Sequence, residues 1–171
     1  KDVDGDGIGW RTLPGTDHPL ASYFTRGSGH NEKAQLSERS EDWEANMERL
    51  TRKFDTARAL VPAPEIDLVD GAEIALVCFG STTPAVEEAR ALLALKGVKT
   101  SLLRLRALPM NEKVSGFIAA HKRVYAVEMN NDSQLASLLM LHAPEYATRI
   151  ARANNNSGLP ISAAWLVKTI E

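Results

Sequence analysis

The chain has 171 residues, 44% of them hydrophobic, and a formal net charge of −2 at pH 7. A charge so close to zero gives no electrostatic reason to expect a nucleic acid or an anionic membrane as a partner. The single cysteine excludes a disulfide framework within the chain and favours a reducing, cytoplasmic location. No apolar run has the length of a membrane span, so the sequence predicts neither membrane insertion nor a signal peptide.

The first 39 residues are rich in glycine and proline, and their apolar side chains follow neither the helical nor the strand period. We therefore expect residues 1–39 to form an irregular interdomain segment, of the kind that borders a functional site or lies across a neighbouring domain. The polar residues that we select there as candidates for contact with a ligand or another subunit are Asp17, His18, Arg26 and His30. A linker held by hydrogen bonds is the alternative interpretation of the same residues.

The start of the chain contains a partial calcium-binding motif. Asp2, Asp4 and Asp6 match the opening of an EF-hand loop. Leu13 stands where that loop requires a bidentate glutamate, and Pro14 follows where the exiting helix should run. The histidines of the chain show no metal-ligand spacing either. The sequence therefore predicts no metal site, and a solvated acidic turn at this position.

Residues 40–61 are predicted to form a linker helix. Trp43, Met47, Leu50 and Phe54 recur at spacings of three and four and form one narrow apolar stripe. The early charges of the segment are acidic and the later ones mostly basic, which suits the helix dipole. Such a helix either packs against its own domain or recognises a partner, and the sequence leaves both interpretations open.

Two prolines after this helix start a short, stiff connector, so we place the domain boundary there and assign residues 62–171 to a separate α/β domain. The first elements predicted in this domain are a strand at Ile74–Phe79, a helix that begins near Pro84 and ends at Gly97, and a strand at Val98–Leu105. A side-chain oxygen of Thr82 or Thr83 is expected to cap the helix. This order forms a βαβ unit, which requires a parallel sheet covered on both faces.

The rest of the chain continues the alternation of helix and strand. The further predicted elements are a helix capped by Asn111, a strand at Arg123–Asn130, a helix at 132–142, a strand at Ala147–Ala153 and a last helix from Pro160. Together with the βαβ unit they predict a doubly wound, mainly parallel sheet with helices on both faces. Ligands of such folds bind beyond the carboxyl ends of the strands.

Polar residues stand at the carboxyl ends of the predicted strands. Ser81, Thr82 and Thr83 follow the first strand and are candidates for binding a small anion at the helix N-terminus. Arg106 follows the second strand. Glu128, at the end of the third, either titrates as a buried carboxylate or hydrogen-bonds the neighbouring turn. The first turn has neither the glycine pattern of a dinucleotide fold nor that of a P-loop, so nucleotide binding has no sequence support.

Neither of the two candidate nucleophiles has the surroundings that catalysis needs. Cys78 lies inside a predicted core strand, where a buried and inert thiol is expected. Ser81 has no histidine at another strand end to activate it, so a capping role is favoured over nucleophilic catalysis. We therefore assign no catalytic residue to this chain.

Ordered blocks of sequence cover nearly the whole chain: RTLPGTDHPLASYFTRGSGHNE, SERSEDWEANMERLTRKFDTARALVP, FGST, LRLRALP and VYAVEMNNDSQL. In this order they resemble the C-terminal part of the alpha subunit of 2-oxoacid:ferredoxin oxidoreductases, most of all the 2-oxoglutarate type. The blocks are far more specific than any short motif. The α/β part also resembles the transketolase C-terminal domain, which is a parallel-sheet domain.

The resemblance implies a piece of a large thiamine-diphosphate enzyme. That enzyme would oxidatively decarboxylate 2-oxoglutarate or a related 2-oxo acid to an acyl-CoA and pass the electrons to ferredoxin. Thiamine diphosphate, magnesium and an iron–sulfur cluster are then expected in the full complex, and none of them on this chain alone. The implied partners are a beta subunit, ferredoxin, the 2-oxo acid and coenzyme A. The chain itself is expected to serve structure and assembly and to be inactive alone.

The resemblance also bears on the candidate residues of the N-terminal segment. The family's loop that matches Pro14–Tyr23 runs near the mouth of the active site, which implies that Asp17 and His18 lie on the substrate side. The alternative to this whole interpretation is an independent α/β module that binds a small anion at the helix N-terminus. A longer reading frame upstream that encodes a pyrimidine-binding domain of a thiamine enzyme would favour the first interpretation.

Overall fold

The structure of the protein is a computed structural model that describes residues 2–22 and 29–171. The chain divides after Val61 into two compact units, called unit 1 and unit 2 below, and unit 2 comprises Pro62–Glu171. None of the helices in the described ranges has the length and apolar character that a membrane crossing needs. The elements are α1 (Ser40–Leu60), β1 (Glu65–Asp67), β2 (Ile74–Phe79), α2 (Thr83–Leu95), β3 (Thr100–Leu105), α3 (Glu112–Ala119), β4 (Arg123–Glu128), α4 (Gln134–His142), β5 (Ile150–Asn154) and α5 (Ala163–Ile170), with 3-10 turns at Gly80–Thr82 and Pro144–Arg149.

The five strands of unit 2 form one sheet in the order β1-β3-β2-β4-β5. The strands β2 to β5 pair in parallel, whereas β1 is antiparallel to β3. The register of the central pair runs from Ile74 opposite Thr100 to Phe79 opposite Leu105. A parallel strand that is buried on both faces needs a nearly continuous apolar run. The parallel pairing predicted from the three apolar runs is confirmed.

Helices cover both faces of this sheet. On one face α3 and α4 pack over Val77 and Leu103 in a first apolar cluster. On the other face α2 and α5 pack over Leu76 and Leu102 in a second cluster. Neighbouring strand residues belong to different clusters because successive side chains of a strand point to opposite faces. The predicted doubly wound, mainly parallel sheet with helices on both faces is confirmed.

Four strands differ from their predictions, two of them at one end only: β3 begins at Thr100 rather than at Val98, and β4 ends at Glu128 rather than at Asn130. The connector expected after α1 contains the edge strand β1, whose residues include Glu65 and Asp67 and therefore show no apolar pattern. The last strand begins at Ile150 rather than at Ala147, because the residues before it form a 3-10 turn. Arg149 in this turn donates hydrogen bonds to the main-chain oxygens of Ala119, the last residue of α3, and of His121, and so ties the turn to the end of that helix.

The starts of two helices differ in how they are capped. Asn111 caps α3 as predicted, since its side-chain oxygen accepts a hydrogen bond from the N–H of Lys113 (3.1 Å). At the start of α2, the hydroxyls of Thr82 and Thr83 donate instead to carbonyl oxygens of the preceding turn. The predicted side-chain cap of α2 is therefore wrong, and a 3-10 turn leads the chain into this helix.

Helix α1 is the regular element of unit 1, and none of its residues is buried. The loop that begins the chain is attached to it by polar contacts. Arg49 donates to the carbonyl oxygen of Gly7 (2.9 Å), and the hydroxyl of Thr56 donates to that of Asp6 (2.7 Å). Gly7 has a φ of +82°, and a Cβ at this position would lie 2.2 Å from the main-chain nitrogen of Lys53. Only glycine fits so close an approach of loop and helix.

The acidic turn in this loop is folded around Asp2. The Asp2 side chain is 10% exposed, and its carboxylate accepts hydrogen bonds from the N–H groups of Gly5 (2.9 Å) and Gly7 (3.0 Å). Burial raises the pKa of this carboxyl, but hydrogen bonds from Arg52 and from the two N–H groups lower it, and the net pKa lies below the ordinary value. The expected solvated turn is therefore wrong at Asp2, which organises the loop.

Candidate functional site

The carboxyl edge of the sheet in unit 2 encloses a cavity of about 300 Å³. It lies where the strand order reverses, since β3 pairs with one side of β2 and β4 with the other, and ligands of open α/β sheets bind at such points. Two of the strand-end residues selected from the sequence, Arg106 and Glu128, meet there. The lining residues are Phe79, Leu105, Arg106, Ala107, Leu108, Glu128, Asn130, Gln134, Leu135 and Leu138.

Glu128 is a fully buried charged residue in this lining. Its carboxylate accepts hydrogen bonds from the N–H groups of Leu135 (2.8 Å) and Ala136 (3.1 Å), in the first turn of α4, and from the side-chain amide of Asn130. A carboxylate at this position satisfies N–H groups that a helix leaves unpaired at its start, and it faces the positive end of the helix dipole. Of the two interpretations of Glu128, the structure shows hydrogen bonding to the neighbouring turn.

The turn between β4 and α4 is held in an unusual conformation. Ser133, which is buried, has φ 53° and ψ 52°, in the left-handed region that residues other than glycine seldom adopt. The side-chain oxygen of Asn130 accepts hydrogen bonds from the N–H groups of Asp132 (3.1 Å) and Gln134 (3.2 Å). Asn154, at the end of β5, donates to the main-chain oxygen of Asn130 (3.1 Å). Side chains from two strand ends therefore fix this turn.

The residues selected as an anion site follow β2 and do not line the cavity. Ser81 is exposed, whereas Thr82 and Thr83 are buried. The hydroxyl of Thr82 donates to the carbonyl oxygen of Phe79 (2.7 Å), and that of Thr83 donates to the carbonyl oxygen of Gly80 (2.9 Å). These two hydroxyl protons are therefore used within the chain. Anion binding at Ser81, Thr82 and Thr83 stays a prediction.

Cys78 is fully buried in β2, as expected from the sequence. Burial raises the pKa of its thiol, which makes it a poor nucleophile and a poor metal ligand. An iron–sulfur cluster is commonly held by four cysteine thiolates, so a chain whose only cysteine is buried does not fit one. Within residues 2–22 and 29–171, no three histidine, cysteine or carboxylate side chains come together as a metal site.

The candidates in the N-terminal segment are not gathered into one site by the described residues. Asp17 and His18 are exposed, and Nδ1 of His18 accepts a hydrogen bond from the N–H of Leu20 (3.1 Å). His30 lines a cavity in unit 1 whose described lining does not include Asp17 or His18. Arg26 lies outside the described residues. A substrate-side role for these four residues stays a prediction.

The cavity of unit 1 has a volume of about 490 Å³ and lies between α1 and the loops before it. Two arginines line it, and both contact the first loop: Arg49 binds the carbonyl oxygen of Gly7, and Arg52 lies 3.3 Å from a carboxylate oxygen of Asp2. The lining residues are Asp2, Gly5, Trp10, His30, Asn31, Glu32, Ala34, Asp42, Ala45, Asn46, Glu48, Arg49 and Arg52. These contacts show that the two arginines attach the first loop to α1.

Sequence reasoning missed the apolar part of the cavity in unit 2. Phe79, Leu108 and Leu138 line it and are 44%, 52% and 41% exposed, respectively. Phe79 ends an apolar strand and Leu138 belongs to an amphipathic helix, so the sequence pattern assigns both to the core. Of the three, only Leu108 has a sequence signal for exposure, because it is a large apolar residue in a loop before a proline.

No family model matches the chain. Its sequence is 32% identical over 175 residues to the 2-oxoacid:ferredoxin oxidoreductase 2, subunit alpha, of Aeropyrum pernix, a match that covers 99% of this chain and 27% of that protein. Its fold is similar, with a TM-score of 0.74, to that of the 2-oxoglutarate:ferredoxin oxidoreductase from Magnetococcus marinus, solved with 2-oxoglutarate, coenzyme A and succinyl-CoA bound. That likeness covers 96% of this chain and 28% of the solved chain at 24% sequence identity, and it supports the fold alone.

The two comparisons agree in their extent. In both, nearly all of this chain is matched, but it spans only about a quarter of the length of the protein it matches. The relative with the higher identity is an alpha subunit, which is the subunit that the sequence blocks indicate. The resemblance of this chain to part of the alpha subunit of the 2-oxoacid:ferredoxin oxidoreductases is thus confirmed.

Proposed function

We propose that the chain is a structural part, from the C-terminal region, of the alpha subunit of a 2-oxoacid:ferredoxin oxidoreductase. The observation that carries this proposal is the 32% identity to an alpha subunit along 99% of the chain. The complete enzyme would convert 2-oxoglutarate or a related 2-oxo acid to an acyl-CoA and pass the electrons to ferredoxin. Its partners in the cell would be the beta subunit, ferredoxin, the 2-oxo acid and coenzyme A, in the cytoplasm.

In this proposal the chain contributes no cofactor site. Thiamine diphosphate, when bound with magnesium elsewhere in the complex, supplies the chemistry of decarboxylation, and the protein binds and orients it. The only cysteine is buried, so the ligands of any iron–sulfur cluster must come from other segments. What the chain supplies is the folded α/β domain of unit 2 and the surface of unit 1.

An assembly role is supported by the apolar stripe of α1. Trp43, Met47 and Phe54 lie along this stripe and are 55%, 40% and 55% exposed, respectively. Contiguous exposed apolar side chains of this size mark surfaces that bind other protein. Of the two interpretations of this helix, recognition of a partner is the one that this exposure favours.

The assembly role is tested in the complete alpha subunit produced together with its beta subunit. We expect Phe54→Asp to weaken association of the two subunits, because it places a charge in a surface that must leave water. The matched control is Ala59→Asp, which adds the same charge at an exposed position of the same helix outside the stripe. Size-exclusion chromatography of the two variants gives the comparison. Equal assembly of both variants would remove α1 from the proposed interface.

We also propose that Asp17 and His18 face the entrance of the active site in the complete enzyme, with Arg26 and His30 nearby. The exposure of Asp17 and His18 in this chain is compatible with such contacts. His18→Ala in the assembled enzyme should lower kcat/KM for the 2-oxo acid without dissociating the subunits. A steady-state assay with a viologen acceptor measures this, and unchanged kinetics in an intact complex would make the segment a linker.

The alternative is an independent module that binds an anion after β2, and the contacts of the described residues at that position do not favour it. The hydroxyl protons of Thr82 and Thr83 are already used by main-chain carbonyl oxygens.

A further inference from the structure

The cavity at the carboxyl edge of unit 2 has the size and the position of a ligand site. Its volume of about 300 Å³ is at the lower end of the range for small-molecule pockets. At about 30 Å³ for a group the size of water, it has room for about ten non-hydrogen atoms. Since it is formed within unit 2, its properties do not depend on the function proposed for the whole chain.

Six of the ten residues that line the cavity are apolar. Leu105 and Leu135 are buried and form its floor, whereas Phe79, Leu108 and Leu138 are partly exposed and form its rim. The hydrophobic effect disfavours three large apolar side chains around an open cavity unless something covers them. An aromatic or branched aliphatic group of a ligand would bury all three at once.

The polar groups of the lining favour one negative charge on that ligand. Of the ten lining residues, Arg106 alone is a cation. Its Nε lies 3.6 Å from Glu65, whose other carboxylate oxygen is bound more closely by Arg104 (3.0 Å). An arginine held by so long an ion pair can turn its fork of donors to a carboxylate. The buried Glu128 in the same lining disfavours a doubly charged group such as a phosphate.

The turn beside the cavity supports the same interpretation. Ser133 is held in the left-handed region, directly before the residue Gln134 that lines the cavity. Backbone strain of this kind persists only where the surroundings fix it, and it is concentrated at functional sites. Here the side chains of Glu128 and Asn130 fix the turn and with it the start of α4.

We propose that this cavity binds a small amphipathic monocarboxylate. Its aromatic or branched apolar body would lie against Phe79, Leu108 and Leu138, and its carboxylate would pair with Arg106. With about ten non-hydrogen atoms, such a ligand is expected to bind in the millimolar range.

The proposal is tested by titrating the isotopically labelled 171-residue chain and following its amide resonances by NMR. The probe is 3-phenylpropionate. Its two matched controls are 3-phenylpropanol, which lacks the charge, and propionate, which lacks the apolar body. We expect 3-phenylpropionate to shift the resonances of residues 105–108 and 134–138. Each control should bind at least about fivefold more weakly than 3-phenylpropionate. For the alcohol, this factor corresponds to the loss of an exposed ion pair of about 1 kcal/mol.

Two arginines on the same stretch of chain provide the matched variants. Arg106→Gln should reduce the affinity for 3-phenylpropionate to that for the alcohol, whereas Arg104→Gln should leave it unchanged, because Arg104 does not line the cavity. Leu138→Ser, at an exposed position, should weaken both aromatic compounds equally. Equal binding of acid and alcohol, or an effect of Arg104→Gln as large as that of Arg106→Gln, would overturn the proposal. Shifts of resonances only outside residues 105–108 and 134–138 would also overturn the proposal. The apolar rim of Phe79, Leu108 and Leu138 would then be assigned to contact with another protein.

Discussion

The two units of the chain differ in whether their large apolar side chains are buried. In unit 2 the strand residues are enclosed between helices on both faces of the sheet, in two apolar clusters. Among the described residues of unit 1 only Gly7 is buried, and large side chains such as Trp10, Trp43 and Phe54 are exposed. Unit 2 therefore has the core of an independent domain, whereas unit 1 is held together by polar contacts.

An amphipathic sequence pattern does not determine what covers the apolar face of a helix. The stripe of α1 and that of α2 have the same helical spacing, but Val86, Ala89 and Leu93 of α2 are buried and α1 has no buried residue. Unit 1 instead depends on single hydrogen bonds, such as that from Arg49 to Gly7. Because each such bond contributes only about 1 kcal/mol, unit 1 should be the more easily opened of the two.

The largest effect is expected in unit 2, at Glu128. Glu128→Ala removes a buried acceptor of three hydrogen bonds and leaves the N–H groups of Leu135 and Ala136 unpaired in the protein interior. We expect a loss of about 3 kcal/mol or more in the free energy of unfolding, since hydrogen bonds to a charged group contribute about 1.5–3 kcal/mol each. Urea denaturation followed by circular dichroism measures this loss.

Two further variants show whether that loss comes from the hydrogen bonds. Glu128→Gln keeps the shape but can accept with one oxygen only, so it should lose roughly half as much. Glu88→Ala, at an exposed position of α2, removes the same charge from the chain and should change stability by less than about 0.5 kcal/mol. If the Glu128 and Glu88 variants unfolded at the same urea concentration, Glu128 would not hold α4 in place.

Much of unit 2 could be predicted because buried parallel strands are recognisable in the sequence as apolar runs. Ile74–Phe79 is such a run, Thr100–Leu105 is a mixed one with three leucines, and both form strands in parallel register. Strand β1 was not predicted, because Glu65–Asp67 pairs through its backbone at the edge of the sheet, where side chains need not be apolar. Local pattern cannot reveal a strand that depends only on a neighbour's unpaired backbone groups.

The candidate site was predictable in position but not in chemistry. The carboxyl ends of parallel strands meet at one edge of a sheet, which predicts that Arg106 and Glu128 lie close together, and both line the same cavity. The contacts of Glu128 with the start of α4 depend on how that helix packs, and the sequence offered two interpretations of this residue. The exposure of Phe79 and Leu138 depends on what the other elements leave uncovered. Exposure of this kind is a property of the tertiary structure, so no period in the sequence encodes it.

A smaller effect is expected in unit 1, where two glycines of the first loop form a matched pair. Gly5 and Gly7 have similar φ values, +76° and +82°, which disfavour any other residue by about 1–2 kcal/mol. A Cβ at Gly5 would meet nothing within 4 Å, whereas one at Gly7 would lie 2.6 Å from the carbonyl oxygen of Arg49 and closer still to Lys53. The two alanine variants therefore share the backbone strain and differ in the steric clash.

Hydrogen exchange of residues 2–10 and 45–56 should separate these two contributions. Gly5→Ala should speed exchange modestly, because the loop stays in place against α1. Gly7→Ala should release the loop, since the clash is with helix backbone that cannot move aside, and the hydrogen bonds from Arg49 and Thr56 are lost with it. Equal exchange in the two variants would show that strain alone controls the loop. The polar contacts would then not be what holds unit 1 together, and its exposed apolar side chains would need another explanation.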